Sequence, residues 1–476
     1  MPSSTMPSPP KPPIHVAIIG GGITGVILAL GLQHRNIPFT LYERLPALTE
    51  LGAGIGFSPN AERALALVDP EVHRVYKRVA PTRAGGLMEY FQWADGHGSN
   101  EVVARLAIGV DAFQGGRRAD FVEAWAALVE GGRVRFGMEL VDCRMKEGGD
   151  GRVVMRFADG EEEEADVVIG CDGIHSLTRR LILGPSSPSS RPSYTGKYCY
   201  RSLVPMAHAT ALLGPARTTS RSKSLNRFLY LGPDAHVVTY PVARDQFLNV
   251  LLVVTDPDPT WRGGKGEGEG KERHHTAPGD KEDALRAVEG WNPAIRALVG
   301  LLPDALQKWA IFDMHEHPAP RYYGLDQEGG GGCGCGSLLA VAGDAAHAAG
   351  PHLGSGAGFG VEDALVLAEL LEAVGEKLQL LQQDEGEGGK EKKKKADLCR
   401  AALVAYNNVR YERTQWLPGA TRAVCALFHG QNEAVRRDDW DTVMQETSKR
   451  FHTIWDYDVG EMVEEARREF EKVVGA

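Results

Sequence analysis

Three rhythms of apolar residues run along the chain. The first is the short unbroken run, seen at Val16–Ile19, Phe39–Tyr42, Val167–Ile169 and Leu338–Ala342. Runs of this length and β-branching predict strands buried on both faces of a parallel sheet. The second rhythm is helical. Phe121, Trp125 and Leu128 share one face of the segment 116–128, and Val26–Leu30, Ala61–Val68 and Val361–Val374 carry further helices. From Ala396 onward the pattern is helical and amphipathic. The third rhythm is a set of strand-like runs at Tyr198–Val204, Asn226–Leu231, His236–Pro241 and Phe247–Val254, parted by Gly, Pro and Asp turns. It predicts an antiparallel sheet inserted into the parallel unit.

The first run leads into chemistry. Gly20, Gly22 and Gly25 follow Val16–Ile19 in the spacing G-x-G-x-x-G and open a helix, and a second strand ends at Glu43. In such a unit the first glycine permits the tight turn and the second lets the backbone approach a pyrophosphate. The third lets helix and strand pack closely, and the acid about twenty residues on receives a ribose hydroxyl. Unpaired N–H groups at the helix start favour phosphate. Strand, turn, helix, strand and acid in this order predict a dinucleotide site. A second glycine-rich stretch, Gly52–Asn60, includes Gly56. Arg118 stands at the start of the 116–128 helix, where the dipole disfavours a cation unless an anion lies near.

Composition narrows the classes. The 476 residues suffice for two or three domains, and a net charge of −10 without a basic stripe argues against a nucleic-acid surface. Seven scattered cysteines suit a reducing compartment, and Cys333-Gly-Cys335 lacks partners at metal-ligand spacing. No apolar run reaches the length of a membrane span, so no stable membrane insertion is expected and the protein reads as cytoplasmic. Residues 1–13, rich in Pro and Ser, read as disordered. The stretches 262–280, 328–336 and 382–395 read as low-complexity loops.

Two more strand-end motifs complete the set. Asp172-Gly173 ends the run at Val167–Ile169, followed by His175 and Ser176. Gly343-Asp344 ends the run at Leu338–Ala342, followed by Pro351, His352, Gly354, Gly356 and Ala357. Their backbone N–H groups and carboxylates suit phosphate, ribitol hydroxyls and a flavin ring. With these motifs the chain resembles the class A flavoprotein monooxygenases, within them the salicylate-hydroxylase-like fungal enzymes. Arg118 matches the arginine that contacts FAD phosphate in that family, and Thr453–Val459 resembles the close of the salicylate-hydroxylase type.

The resemblance implies an α/β (α+β) fold. A Rossmann-like FAD-binding domain takes residues 14–193 and 337–381, an inserted antiparallel β-sheet substrate domain takes 194–336, and the C-terminal part, 396–476, is helical. It implies FAD held by Gly20, Gly22, Gly25, Glu43, Gly56, Arg118, Asp172, Asp344, Gly354, Gly356 and Ala357, with no metal. It further implies that NAD(P)H would reduce the flavin, that O2 would add at C4a, and that a phenolic small molecule of polyketide or salicylate type would be hydroxylated, with or without loss of aromaticity. Arg201 resembles an arginine that pairs with the phenolate in dearomatising phenol hydroxylases. Tyr240 resembles the tyrosine beside it, with Tyr230 as the alternative, and His352 is a further pocket candidate. His347 is expected to be structural. Two positions depart from the family pattern: Leu353 stands where Gln is frequent, and Phe359 is expected to narrow or cover the flavin pocket. Oxidation of a non-aromatic terpenoid or alkaloid, and a non-catalytic flavin-fold binding protein, are the competing readings. The oligomeric state is left open.

Overall fold

The computed structural model describes residues 14–48, 54–80, 89–108, 114–147, 151–214, 227–242, 245–258, 260–261, 275–325, 336–384 and 388–475. Residues 1–13, most of 262–280, all but one residue of 328–336, and 385–387 lie outside them.

The short apolar runs form one parallel sheet. Its order is β18 (Leu339–Val341), β11 (Val167–Gly170), β1 (Val16–Ile19), β2 (Phe39–Glu43) and β7 (Val134–Phe136). Ile18 pairs with Ile169 on one side and Leu41 on the other. The chain leaves β1 for β2 on one flank, and β11 and β18 lie on the other. A crevice therefore opens beyond the carboxyl end of β1, where open sheets of this kind bind ligands. The helices Ile23–His34 and Gly356–Asp384 pack against each other there, and their apolar faces belong to the sheet's core.

The alternating runs form an eight-stranded sheet. Its order is β16 (Thr276–Asp280), β17 (Ala305–Asp313), β12 (Ser193–Pro205), β15 (Phe247–Thr255), β14 (Ala235–Val242), β13 (Phe228–Gly232), β4 (Glu89–Asp95) and β5 (Val102–Ala107). One face buries Tyr200, Tyr230, Val237 and Leu252 with Trp291 and the short helices Lys281–Ala287 and Pro293–Gly300. The other meets the C-terminal helices through Trp93, Leu229, Leu417, Phe451 and Trp455. Two small sheets complete the described strands: β8 (Leu140–Met145), β9 (Val153–Phe157) and β10 (Glu162–Ala165), and the pair β3 (Gly54–Phe57) with β6 (Gln114–Arg117).

Four local expectations change. The hairpin Glu89–Ala107 was grouped with the nucleotide-binding segment, yet β4 pairs in parallel with β13, so it belongs to the large sheet. The stretch Val134–Leu140, whose apolar residues predict one strand, splits at Gly137, whose φ of 75° ends β7 before β8 begins. Thr276–Asp280 is a strand inside a stretch read as a loop, because β17 offers it a free edge. Helix runs to Asp384 and resumes at Gly388, where 382–395 was expected to be a loop. Gln382, Gln383 and the Lys and Glu residues of 390–395 are good helix formers, whatever the low complexity of the stretch.

Candidate active site

A cavity of about 1700 Å³ lies between the carboxyl ends of the parallel sheet and one face of the large sheet. Gly20, Gly22, Glu43, Gly56, Arg118, Asp172, Asp344, Gly354, Gly356 and Ala357 all line it. Gly25 does not. A Cβ there would sit 2.0 Å from the Gly20 carbonyl oxygen and 3.3 Å from Cys171 Cβ, so its part is close packing behind the wall. Gly20 has φ 105°, a conformation that favours glycine. A Cβ on Gly22 would meet only Arg118 Nη2, at 3.8 Å, so the backbone is open and a guanidinium stands at its edge.

The acids are held in place by backbone. Glu43 Oε2 accepts from the Gly21 N–H at 2.7 Å and Oε1 from Leu45 N–H at 2.8 Å. Asp172 Oδ2 accepts from the Thr178 N–H and hydroxyl at 3.0 and 3.1 Å, while its buried Oδ1 has no hydrogen-bond partner among the described residues. Asp344 Oδ1 lies 3.8 Å from where a Gly356 Cβ would stand, so this carboxylate faces the turn whose Gly354 is left-handed. An orphaned buried carboxylate oxygen, an open glycine turn and a cation beside it fit an elongated ligand with phosphates and hydroxyls. FAD has that chemistry.

Behind this wall sits a buried ionic cluster that sequence reasoning did not find. Arg410 pairs with Asp363 at 2.8 Å and with Glu362 at 2.7 Å, and Arg413 pairs with Glu362 at 2.8 Å. Asp363 Oδ2 also accepts from Gly343 N–H at 2.9 Å and pairs with His347 Nε2 at 2.5 Å. Burial alone would raise both carboxyls. The guanidiniums, with His347 at Asp363, outweigh it and hold both below the usual carboxylate range. The cluster fixes the Gly343-Asp344 turn to the helix Gly356–Asp384. Phe359 belongs to this layer. It is fully buried, with the Arg413 guanidinium 4.6 Å from its ring centroid, and it is not on the cavity wall. Leu353 is likewise buried in the core. The expectation that Phe359 narrows the pocket is therefore wrong, because its place on the helix turns it toward the C-terminal helices.

The far end of the cavity is a sheet face. Leu229 of β13, Val238 and Tyr240 of β14, and Leu251 and Val253 of β15 line it, with Phe91, Phe451, Arg227, His236 and His352. His236, Val238 and Tyr240 alternate along β14, so one face carries all three. Burial pushes the Tyr240 phenol up to about 12, with Arg201 and Arg227 pulling the other way. Its ring lies over β3, where a Cβ on Gly54 would be 2.5 Å from the hydroxyl. Burial lowers His352 to about 3. Arg201 shares a row with Leu251, Val238 and Leu229. Its guanidinium, however, stacks on Trp309, 3.9 Å from the ring centroid, and Arg201 is absent from the described cavity wall. Tyr230 points to the opposite face and packs on Phe228, so it is not an alternative to Tyr240. His236 was missed as a site residue, although strand alternation with Tyr240 would have found it. Phe451 comes from the distant helix Trp440–Trp455, and no local pattern announces it.

Comparison with known proteins settles the class. The chain is 41% identical over 468 residues to the FAD-dependent monooxygenase pigN of Monascus ruber, covering 97% of this chain and 98% of that one. It is 40% identical over 464 residues to the dual trans-enoyl reductase/FAD-dependent monooxygenase tazHJ of Aspergillus terreus, covering 97% of this chain but 61% of that longer protein. A solved salicylate hydroxylase in complex with substrate superposes with a TM-score of 0.75 at 28% identity, covering 96% of this chain and 98% of that one. No family model matches. The chain belongs to the FAD-dependent monooxygenases, and its fold is that of the salicylate-hydroxylase type.

Proposed function

We propose that the enzyme hydroxylates a phenolic aromatic small molecule of polyketide or salicylate type, using NAD(P)H and O2. The observation that carries this reading is the continuity of one cavity. It runs from the glycine cradle to an apolar sheet face that bears Tyr240 and His236, with His352 of the turn Pro351–Leu353 beside it. Leu229, Val238, Leu251, Val253, Phe91 and Phe451 suit a flat hydrocarbon ring, and the polar groups among them suit a hydroxyl.

FAD, held by the three glycine turns with Glu43, Arg118, Asp172 and Asp344, supplies oxygen activation. The remaining tasks belong to the protein. Tyr240, neutral below about pH 12, donates a hydrogen bond to a phenolate or carbonyl oxygen. Arg201 shares that face, and leaving its Trp309 stack brings a cation to the phenolate, the ionic form that favours electrophilic oxygen transfer. Pro351 and His352 wall the site against water.

We further take residues 14–193 with 337–381 as the FAD-binding unit, less the hairpin 89–107, and 194–336 as the substrate unit. No helix among the described residues is long and apolar enough to cross a membrane. A cytoplasmic enzyme is supported by the five described cysteines, all free and buried.

The test is NADPH and NADH oxidation by the FAD-loaded enzyme with a panel of salicylates and alkyl-resorcinols. The reading expects stimulation by a phenol and a product heavier by one oxygen atom. A flavin-bearing enzyme that no phenol stimulates would overturn it.

A further inference from the structure

We propose that His236, His429 and Thr255 form a relay that carries the proton of a bound phenol from the cavity to solvent. The proposal rests on the phenol reading above. It begins from a continuous line of hydrogen bonds. His236, on the cavity wall and 2% exposed, has Nδ1 2.8 Å from His429 Nε2. His429, 1% exposed, has Nδ1 2.8 Å from Thr255 Oγ1. Thr255 Oγ1 accepts from Gln431 Nε2 at 2.9 Å, and Gln431 is exposed. The line thus leads from the cavity to the protein surface within three side chains.

The rings are positioned by backbone. His429 follows the helix Gly388–Phe428 directly. Its N–H donates to the Cys425 carbonyl at 3.0 Å, and its own carbonyl accepts from the Asp234 N–H at 3.1 Å in the β13–β14 turn. Gln431 is fixed in turn by Asp234 Oδ1 at 2.6 Å and by Lys197 Nζ at 3.0 Å. The other groups facing the two rings are His352, at 5.6 Å between its ring and that of His236, Phe428, and Cys425 Sγ, 3.7 Å from His429 Nε2. Burial, reinforced by Lys197 and the neighbouring imidazoles, keeps both histidines well below their ordinary value, so they rest neutral. A neutral imidazole has one N–H and one lone pair, so it accepts a proton at one nitrogen and releases one from the other.

The transfer balances without electrons. The phenol O–H bond breaks and a bond forms at His236 Nε2. The Nδ1 proton of His236 moves to His429 Nε2, and the Nδ1 proton of His429 moves to Thr255 Oγ1. The hydroxyl proton of Thr255 leaves to a solvent water. The products are a phenolate in the cavity and one proton in solvent. A metal centre is the competing use of the same side chains, since His236, His352 and Cys425 offer ligand atoms within 4.8 Å of one another. The relay fits better. It accounts for the unbroken line from His236 through His429 and Thr255 to the exposed Gln431, which a metal held by His236, His352 and Cys425 would leave without a role.

Two measurements on the FAD-loaded enzyme test the proposal. In protein labelled with 15N-histidine, the relay predicts neutral His236 and His429 with coupling across an N–H···N bond. That coupling should vanish in His429→Leu, and its absence from the unmutated enzyme overturns the relay whatever the substrate is. In the second, 4-nitrophenol bound in the cavity reports its own ionisation by absorbance after a pH jump. His429→Leu and Thr255→Val are expected to slow that ionisation about tenfold or more, with flavin content and probe affinity retained. Unchanged rates in both variants would defeat the relay, as would stoichiometric zinc in the purified protein that Cys425→Ser removes. Failure of 4-nitrophenol and the phenol panel to bind would instead count against the phenol reading, leaving the 15N result to judge the relay.

Discussion

The two ends of the cavity are built on different principles. The cradle end is made of backbone, in three strand-end turns where Gly20, Gly22, Gly354 and Gly356 expose peptide groups and carboxylates are pinned by N–H donors. The sheet end is made of side chains on β13, β14 and β15, met by Phe451 from a helix two hundred residues further along the chain. At Gly20 and Gly25 the cradle tolerates almost no change, because an added Cβ collides with main chain, while at Gly22 and Gly356 it would project into the open space a ligand needs. A side-chain face keeps its fold through substitution and changes what it binds. The comparison predicts that damage at the first end costs flavin and stability together, whereas damage at the second costs turnover alone.

The largest effect is expected from Gly25→Val. Its added carbons would enter the space of the Gly20 carbonyl, and backbone cannot yield as a side chain does. A loss on the order of 4 kcal/mol, with little bound flavin, should appear in thermal unfolding and in the absorbance spectrum. Retained flavin at wild-type stability would break the account of that turn.

Asp363→Asn comes next, because it leaves Arg410 and His347 facing a neutral partner in a buried cluster. About 3 kcal/mol of destabilisation is expected. The pH dependence has a definite sign. Asp363 and Glu362 are depressed in the folded state, so their contribution is full above the unfolded value of about 4. It is lost as pH falls through the folded values, which lie below the usual carboxylate range. Acid unfolding curves should therefore be less steep in the variant than in the parent, and identical curves would deny the cluster its role.

Arg201→Ala sharpens the other side. It is expected to keep full flavin content and lose about a hundredfold in kcat/KM for phenols, roughly 3 kcal/mol of transition-state stabilisation. Unchanged turnover would leave Arg201 a surface cation stacked on Trp309. The smallest effect belongs to Phe359→Leu. The ring is in the core and off the wall, so about 1 kcal/mol of stability should be lost with KM unchanged. A shifted KM would return Phe359 to the pocket.

The same division explains what the sequence disclosed. The cradle is largely local: Gly20, Gly22, Glu43, Asp172 and Asp344 stand at or just beyond strand ends, so glycine spacing and strand-end acids point to residues that line the cavity. Gly25 was included with the ligand's contacts because the motif names it, though its contact is with Gly20. The sheet end is assembled across strands. Register decides which side chains share a face, and register is not written in any one strand. His236 follows from Tyr240 by alternation along one strand, but that Tyr230 faces away and that Arg201 stacks on Trp309 depends on neighbouring strands. The cluster of Glu362, Asp363, Arg410 and Arg413 joins helices some fifty residues apart in sequence, beyond the reach of any motif.

The central claim is that one cavity has a flavin end and a phenol end that fail separately. The most direct test pairs flavin content with phenol-stimulated NAD(P)H oxidation in Tyr240→Phe, a change of one hydroxyl on the sheet face. The account predicts a full flavin spectrum and oxidation lowered about tenfold, near 1.4 kcal/mol for a hydrogen bond made as the phenol reacts. Loss of flavin together with turnover, or turnover unchanged, would contradict it.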